Sequence, residues 1–174
     1  IYYLSFCKSF LNPIDSQNIN RFENFFILQG EYDRDGKTER VHCGLKKGQK
    51  KSFKRNKKEY EKLSDHIGLF PLVIISPSDS DLISLGSDLR RKFLDGIISQ
   101  FDHAYLETLI TYNKAVTQRN ALLKYFQKNR TFNQDQLDIW DIQLVKHGEV
   151  LFQKRKKLIE DLTPVFQQYY QQIS

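Results

Sequence analysis

The chain has 174 residues, of which 40% are hydrophobic and 28% charged, a composition typical of one globular domain or two small ones. This composition excludes a disordered protein and a collagen-like protein. The net charge is +6, and the longest apolar run, residues 69–75, is far shorter than the roughly 20 residues of a membrane-spanning helix, so we expect no membrane partner.

The cysteines and histidines show no spacing that indicates a disulfide or a metal site. Cys7 and Cys43 are the two cysteines, and the four histidines are scattered. We therefore expect no metal ligands and a reduced, cytoplasmic protein. Because the chain lacks methionine and opens on Ile1, we interpret it as an internal piece of a longer protein.

The first half predicts one short helix followed by strands. Residues 1–10 have the apolar spacing of the end of a helix, which Asn12-Pro13 should stop. Short runs broken by turn residues then predict an antiparallel meander over residues 25–60. The apolar run 69–75 predicts a strand buried on both faces, and its carboxyl end is a natural place for a binding site.

The second half predicts helices only. Ser87 should cap a helix that ends near Phe101. The next helix carries a coiled-coil seam with Arg119 as its one polar member, and the last repeats apolar residues every seven positions before Pro164 kinks or restarts it. The seam residues are Tyr105, Leu109, Tyr112, Val116, Arg119, Leu123 and Phe126, and the heptad residues are Leu137, Leu144, Leu151, Leu158 and Val165.

We therefore predict an α+β fold with two parts. Residues 1–80 should form an antiparallel β meander plus a buried strand, and residues 81–174 an all-α part with an antiparallel helical hairpin. Arg119 should hydrogen-bond across that hairpin and fix its register.

The positive charge is concentrated in residues 46–62, here called the basic segment, which holds nine basic and two acidic residues. Such a cluster attracts the phosphates of nucleic acid, so DNA is the first partner to consider. The alternative is a solvated hairpin whose lysines protect a sheet edge, and both interpretations stay open. The candidate DNA-binding residues are Lys46, Lys47, Lys50, Lys51, Lys54, Arg55, Lys57 and Lys58.

No recognisable catalytic motif is present. The chain has no glycine-rich phosphate loop, no Ser, His and acid arrangement, and no Walker B acids. Asp79 and Asp81 lie in a serine-rich turn, where aspartates more often cap helices than catalyse reactions. We therefore assign no catalytic residue to this segment.

Several motifs resemble the RecF family of ABC/SMC-like DNA replication and repair ATPases. Pro77-Ser78-Asp79, followed by Arg90-Arg91-Lys92-Phe93-Leu94-Asp95, is similar to the family hallmark, although Ser78 stands where the family usually has glutamate. Gln118 to Leu123, with Arg119 and Asn120, resembles a second family motif. Ile1 to Ser9 resembles the stretch after the Walker A helix, so the resemblance covers essentially the whole chain.

This resemblance implies a DNA-binding ATPase of which the chain is a part. Residues 1–80 would be an incomplete ABC-type ATPase head lobe and residues 81–174 its helical arm. Walker A would precede Ile1, and the signature and Walker B motifs would follow Ser174. The intact protein would bind ATP and Mg, dimerise with ATP, bind DNA near single-strand gaps, and help RecO and RecR load RecA. No cofactor is expected for this segment alone.

The resemblance also implies roles for particular residues. Asp79, with Ser78, would lie in the nucleotide-proximal loop that senses the γ-phosphate and magnesium. Arg90 and Arg91 would either line a DNA-facing groove or pair with acids of the head, and we favour the structural role; Asp95 belongs to the same motif. A rival hypothesis is a coiled-coil adaptor with a basic head that binds DNA or RNA and has no nucleotide chemistry.

Overall fold

The computed structural model describes residues 1–12 and 14–173, and the chain divides into two compact units, 1–79 and 80–174. The predicted helix stop at Asn12-Pro13 involves Pro13, which lies outside the described residues. The first unit contains a short helix, α1 (Tyr2–Phe6), three 3-10 turns and one sheet. The turns are Asp15–Asn18, Leu63–His66 and Pro77–Ser80, the last of which reaches the second unit.

The sheet is the predicted antiparallel meander. Its strands are β1 (Phe25–Arg34), β2 (Lys37–Lys46), β3 (Ser52–Arg55) and β4 (Lys58–Glu59), in the order β1-β2-β3-β4. Asp35 and Gly36 both have left-handed backbones, which the tight turn between β1 and β2 requires.

Alternation along the strands divides the sheet into two faces. On the inner face, Val41, Cys43 and Phe53 are at most 1% exposed and pack against Leu4 of α1 and Phe70. The outer face carries the intervening residues: Phe25, Ile27, Gln29 and Glu31 of β1, Arg40, His42, Gly44 and Lys46 of β2, and Ser52 and Lys54 of β3. The sheet therefore has one core side and one side open to ligands.

Residues 69–75 do not form the predicted buried strand. Phe70 enters the core and stacks on Tyr32, with ring centroids 4.1 Å apart, whereas Val73 and Ile75 are 85% and 86% exposed. A strand persists only when neighbouring strands accept its ladder hydrogen bonds, and within the described residues this run pairs with none of β1 to β4. Pro71 also lacks the N–H that a ladder needs.

A buried histidine links α1 to the end of the first unit. His66 is fully buried, with Nε2 2.7 Å from the carbonyl oxygen of Leu4 and Nδ1 3.1 Å from the hydroxyl of Tyr60. Because a carbonyl can only accept, Nε2–H donates to Leu4 and Nδ1 accepts from Tyr60, which is the neutral ring. Burial lowers the pKa of His66 below its ordinary value.

This histidine should make the first unit sensitive to acid. The unfolded chain, with a histidine pKa near 6.5, binds the proton more readily than the folded protein. The stabilising contribution is therefore complete above about pH 6.5 and is lost as the pH falls toward the lower folded pKa. We expect His66→Gln to flatten the fall in unfolding free energy between about pH 7 and 5, measured by urea titration. His147→Gln is the control; an unchanged slope in the His66 variant would contradict this assignment.

Helices are the only regular secondary structure in the described residues of the second unit. Its helices are α2 (Asp81–Ser84), α3 (Ser87–Phe101), α4 (His103–Asn129) and α5 (Gln134–Tyr170). The side chain of Asp102 accepts from the backbone N–H of Tyr105 and caps α4, and Asn133 does the same for α5 through Gln136. The α+β class, with a sheet followed by helices, is thus confirmed.

The helices α4 and α5 form the predicted antiparallel hairpin. Arg119 bonds to Asp141, and Tyr105 bonds to Arg155. Between them, a ring carbon of Tyr112 lies 3.4 Å from the position that a Cβ atom would occupy at Gly148. Across these three pairs the residue numbers decrease along α4 while they increase along α5, which is the order of an antiparallel pair of helices. Arg119 therefore reaches across the hairpin, as predicted from its place in the seam.

The heptad residues are buried only where α5 has a partner. Leu137 and Leu151 are buried and Leu158 packs against the cluster that contains Leu151, but Val165 is 47% exposed. Of the two outcomes predicted at Pro164, a kink or a restart, the restart is wrong, because α5 runs through this residue. This stretch is exposed, so water can bond the carbonyl that the missing N–H leaves free. Among the described residues, no helix combines the length and apolar character needed to cross a membrane.

Two details of α3 also differ from the prediction. The helix is capped at Gly86 rather than at Ser87, whose hydroxyl instead accepts from Arg91. The helical period predicts an apolar face of Leu89, Phe93, Leu94, Ile97, Ile98 and Phe101. Of these residues, Ile98 is 2% exposed, whereas Phe93 and Phe101 are 46% and 69% exposed. The apolar stripe is therefore wider than the surface that α4 and α5 cover.

Candidate nucleic-acid interface

The basic segment spans the end of β2, all of β3 and β4, and the turns between them. Five of its predicted DNA-binding residues are exposed, and Lys54 is half-buried on the outer face of the sheet. The exposed five are Lys46, Lys47, Lys50, Lys57 and Lys58. Among them the Lys47 ammonium donates to the carbonyl of Glu23 at 2.6 Å, which ties the β2–β3 turn to the start of β1.

Lys51 lies inside the first unit. Its side chain is 11% exposed, and its ammonium donates to the Asp15 carboxylate at 2.6 Å and to the carbonyl of Cys7 at 2.5 Å. The same ammonium lies 5.2 Å from the ring centre of Tyr3. We therefore assign Lys51 a structural role and remove it from the candidate DNA contacts.

Arg55 is also neutralised within the fold. Its guanidinium donates two hydrogen bonds to the Glu39 carboxylate, at 2.9 and 3.0 Å, across the strands β2 and β3. These bonds hold the pKa of Glu39 below its ordinary value. A bidentate pair leaves Arg55 little capacity for a phosphate, so it too leaves the candidate set.

Two further residues on the outer face, a cation and a histidine, were missed from the sequence. Arg40 and His42 alternate along β2 and lie on the same face as Lys54, which is the cross-strand partner of His42. They lie outside the dense basic segment, so charge density alone did not select them. The period-two alternation of the strand could have found them.

The loop predicted to lie near a nucleotide is held by its own hydrogen bonds. Asp79 accepts from the backbone N–H of Ser76 at 3.0 Å and from its hydroxyl at 3.1 Å. The hydroxyls of Ser76 and Ser78 lie 2.9 Å apart. Asp79 therefore shapes the turn Pro77–Ser80, and Ser78 lies exposed beside it.

The two motif arginines bond within a short stretch around the start of α3. Arg90 donates to the carbonyls of Leu82 and Leu85, at 3.1 and 2.9 Å, and so satisfies the end of α2. Arg91 pairs with Asp88 of its own helix. Arg90 therefore fixes the α2–α3 turn.

Asp95 of the same motif joins three helices. Its carboxylate accepts from the Arg155 guanidinium at 2.7 and 3.0 Å and from the Tyr105 hydroxyl. Burial and the bond to Asp95 raise the pKa of Tyr105. The Asp95 cluster, defined as these three residues, holds α3 and α5 together over α4, whereas Asn120 is exposed on α4.

The two cysteines are not suited to nucleophilic chemistry. Both are buried and free, and burial raises the pKa of Cys7 to about 12 and that of Cys43 to about 11. A thiol with such a pKa stays protonated near neutral pH. We therefore treat them as small core residues.

The chain is similar over its full length to curated bacterial proteins. It is 55% identical to the DNA replication and repair protein RecF of Phocaeicola vulgatus and 52% identical to that of Flavobacterium johnsoniae, over 46% and 48% of their respective lengths. The chain thus spans about half the length of the curated relatives it matches. No family model matches it.

Solved structures agree with this relationship. A structure of the recombination mediator protein RecF-ATPrS in the RecFOR pathway matches 99% of the chain and 47% of its own chain, with a TM-score of 0.90 and 30% identity. The RecF-ATP structure of the same pathway gives the same score and identity. The resemblance predicted from the motifs is confirmed, and the chain belongs, as a segment of about half the relatives' length, to the RecF family.

Proposed function

We propose that this chain is part of a RecF-type DNA repair and recombination protein and that it contacts DNA phosphates through its basic segment. The observation that carries the proposal is the group of lysine ammonium groups on the β2–β3 and β3–β4 turns. Lys47 donates to the carbonyl of Glu23. Among the described residues, no side-chain ion pair is formed by the other four exposed lysines, which are Lys46, Lys50, Lys57 and Lys58. Unpaired cations can displace the counterions of a DNA duplex.

Contact through phosphates rather than base edges is the better supported mode. The described residues of the first unit offer β turns and short 3-10 turns at this surface, with no helix long enough to enter a major groove. Phosphate contacts position a protein without reading sequence. We therefore expect binding without sequence preference.

We further propose that the longer protein binds ATP and Mg and is a weak ATPase. The RecF-ATP structure supports nucleotide binding by a relative of the chain. Asp79 and Ser78 would lie close to that nucleotide, and the Asp95 cluster would hold the arm in place. Catalytic residues would come from sequence outside this chain, since it contains no phosphate loop.

The proposal extends to the partners of the longer protein. It would act in the cytoplasm on DNA near single-strand gaps, dimerise with ATP, and work with RecO-type and RecR-type proteins in loading RecA. The RecFOR pathway of the structural relative supports this assignment. The adaptor hypothesis shares the DNA contact but not the nucleotide, and the relative solved with ATP favours the ATPase.

The DNA contact is tested by removing charge from the β2–β3 turn. We expect the triple variant Lys46→Gln, Lys47→Gln, Lys50→Gln to bind a DNA duplex more weakly at low ionic strength. The slope of log affinity against log salt should fall by about one unit for each phosphate that the variant no longer neutralises. Fluorescence anisotropy of a labelled duplex over a salt series measures both quantities.

The matched control removes three charges from other exposed positions of the first unit. Lys8→Gln, Arg21→Gln and Lys37→Gln give the same net charge and should leave the salt slope unchanged. If the two triple variants behave alike, the basic segment is a solubilising surface. The DNA contact would then lie elsewhere, for example at residues 154–157 of α5.

A further inference from the structure

We infer that the outer face of the sheet carries a binding site for a phosphate of the DNA backbone, separate from the β2–β3 turn. This inference rests on the proposed function and specifies where one contact lies. The site is a concavity of about 520 Å³ lined by side chains from β1, β2 and β3 and from the β3–β4 turn. Its cationic members are Arg40, Lys54 and Lys57, with His42 beside them.

Strand register places these side chains together. Gln29, His42 and Lys54 are cross-strand partners and form one row across three strands, and Glu31 and Arg40 form the adjacent row. Residues of one face in adjacent strands lie close enough to share a ligand. The site is therefore made by the cross-strand pairing of three consecutive strands of the meander.

The β3–β4 turn is fixed against β2. Asn56 and Lys57 both have left-handed backbones, the conformation of a tight two-residue hairpin. The N–H of Asn56 donates to the carbonyl of Arg40 at 2.8 Å, and its side-chain oxygen accepts from the N–H of Arg40 at 2.8 Å. This pair of bonds holds Lys57 beside the concavity before any ligand arrives.

The charge of the concavity is only partly neutralised. Glu31 pairs with Arg40 at 2.7 Å, and Glu59 is the cross-strand partner of Lys54. The ammonium groups of Lys54 and Lys57 form no ion pair or hydrogen bond among the described residues. By contrast, Lys51, just before β3, is paired with Asp15, and Arg55, at the end of β3, is paired with Glu39.

The imidazole of His42 adds an unused hydrogen-bonding atom. Its Nδ1 is buried and has no partner among the described residues. A buried polar atom without a partner is costly, and a ligand that bonds it recovers that cost. Two free ammonium groups and a guanidinium are donors that suit the oxygens of a phosphodiester, and the ring nitrogen joins them in the tautomer that carries the proton on Nδ1.

The test uses the double variant Lys54→Gln, Lys57→Gln in the intact protein. We expect weaker binding to a DNA duplex and a salt slope smaller in magnitude by about one unit, because the variant no longer neutralises this one phosphate. The control Lys8→Gln, Lys37→Gln removes two charges from exposed positions of the same unit and should not change the slope. In wild-type protein, the NMR signals of the His42 ring should shift as the duplex is added.

The outcomes separate this inference from the proposed function. If the Lys54 and Lys57 variant keeps the wild-type slope while the Lys46, Lys47 and Lys50 variant has a reduced one, the outer-face site is wrong and the proposed function stands. If wild-type protein does not bind the duplex, both fail. If inorganic phosphate or ADP shifts the His42 signals and the duplex does not, the concavity takes a small anion instead, and the inference is overturned.

Discussion

Replacing Leu151 with alanine should lower the free energy of unfolding of the helical unit by about 3 kcal/mol. Leu151 is 1% exposed and packs with Ile98 of α3 and Tyr105 of α4, so it joins all three long helices. Truncation removes buried methyl groups and leaves a cavity that rigid helices cannot close. The decrease is measured by urea unfolding followed through the helical circular dichroism signal.

The chain offers a control of the same residue type on the same helix. Leu162 is 42% exposed, so Leu162→Ala should cost much less, about 0.5 kcal/mol. Leu144 is partly buried and should fall between the two. Equal decreases at Leu151 and Leu162 would show that the hairpin does not pack as described.

Replacing Lys51 with methionine should destabilise the first unit by about 3 kcal/mol. The change keeps the length of the side chain but leaves the partly buried Asp15 carboxylate and the carbonyl of Cys7 without their donor. Removing one partner from a buried ion pair costs more than the pair contributes, because the other group remains desolvated. Urea unfolding of the purified variant measures the change.

The neighbouring lysine supplies the control. Lys50 is exposed, so Lys50→Met should change the unfolding free energy by less than about 0.5 kcal/mol. We therefore expect opposite results for the two lysines. Replacing Lys51 should lower the stability of the fold, and replacing Lys50 should reduce the salt dependence of DNA binding. A stable Lys51→Met protein with a reduced salt slope would reverse our assignment.

Local pattern predicted most of the architecture. Alternating residues and turn chemistry indicated the meander over 25–60, and heptad spacing indicated the hairpin with Arg119 across it. These features depend on near neighbours in the sequence, so they can be read from it. The structure of the run 69–75 could not be predicted in this way. Whether an apolar run becomes a strand depends on a partner strand, and the run itself does not specify that partner.

The candidate site was predicted less completely, for a physical reason. Charge density located the basic segment, but Lys50 and Lys51 are chemically identical neighbours, and only the fold brings Asp15 to one of them. Arg40 and His42 join Lys54 through cross-strand pairing. Which cations are free for a ligand is decided by contacts distant in sequence.

The antiparallel contacts of α4 and α5 also limit how the lengths of these helices can change during evolution. One inserted residue would rotate everything beyond it by about 100° about the helix axis. An insertion in α4 between Tyr105 and Arg119 would therefore move either the contact of Arg119 with Asp141 or the Asp95 cluster out of register. Matched heptads added to both helices avoid this, as do changes confined to residues 130–133, so length variation among related proteins should be concentrated there.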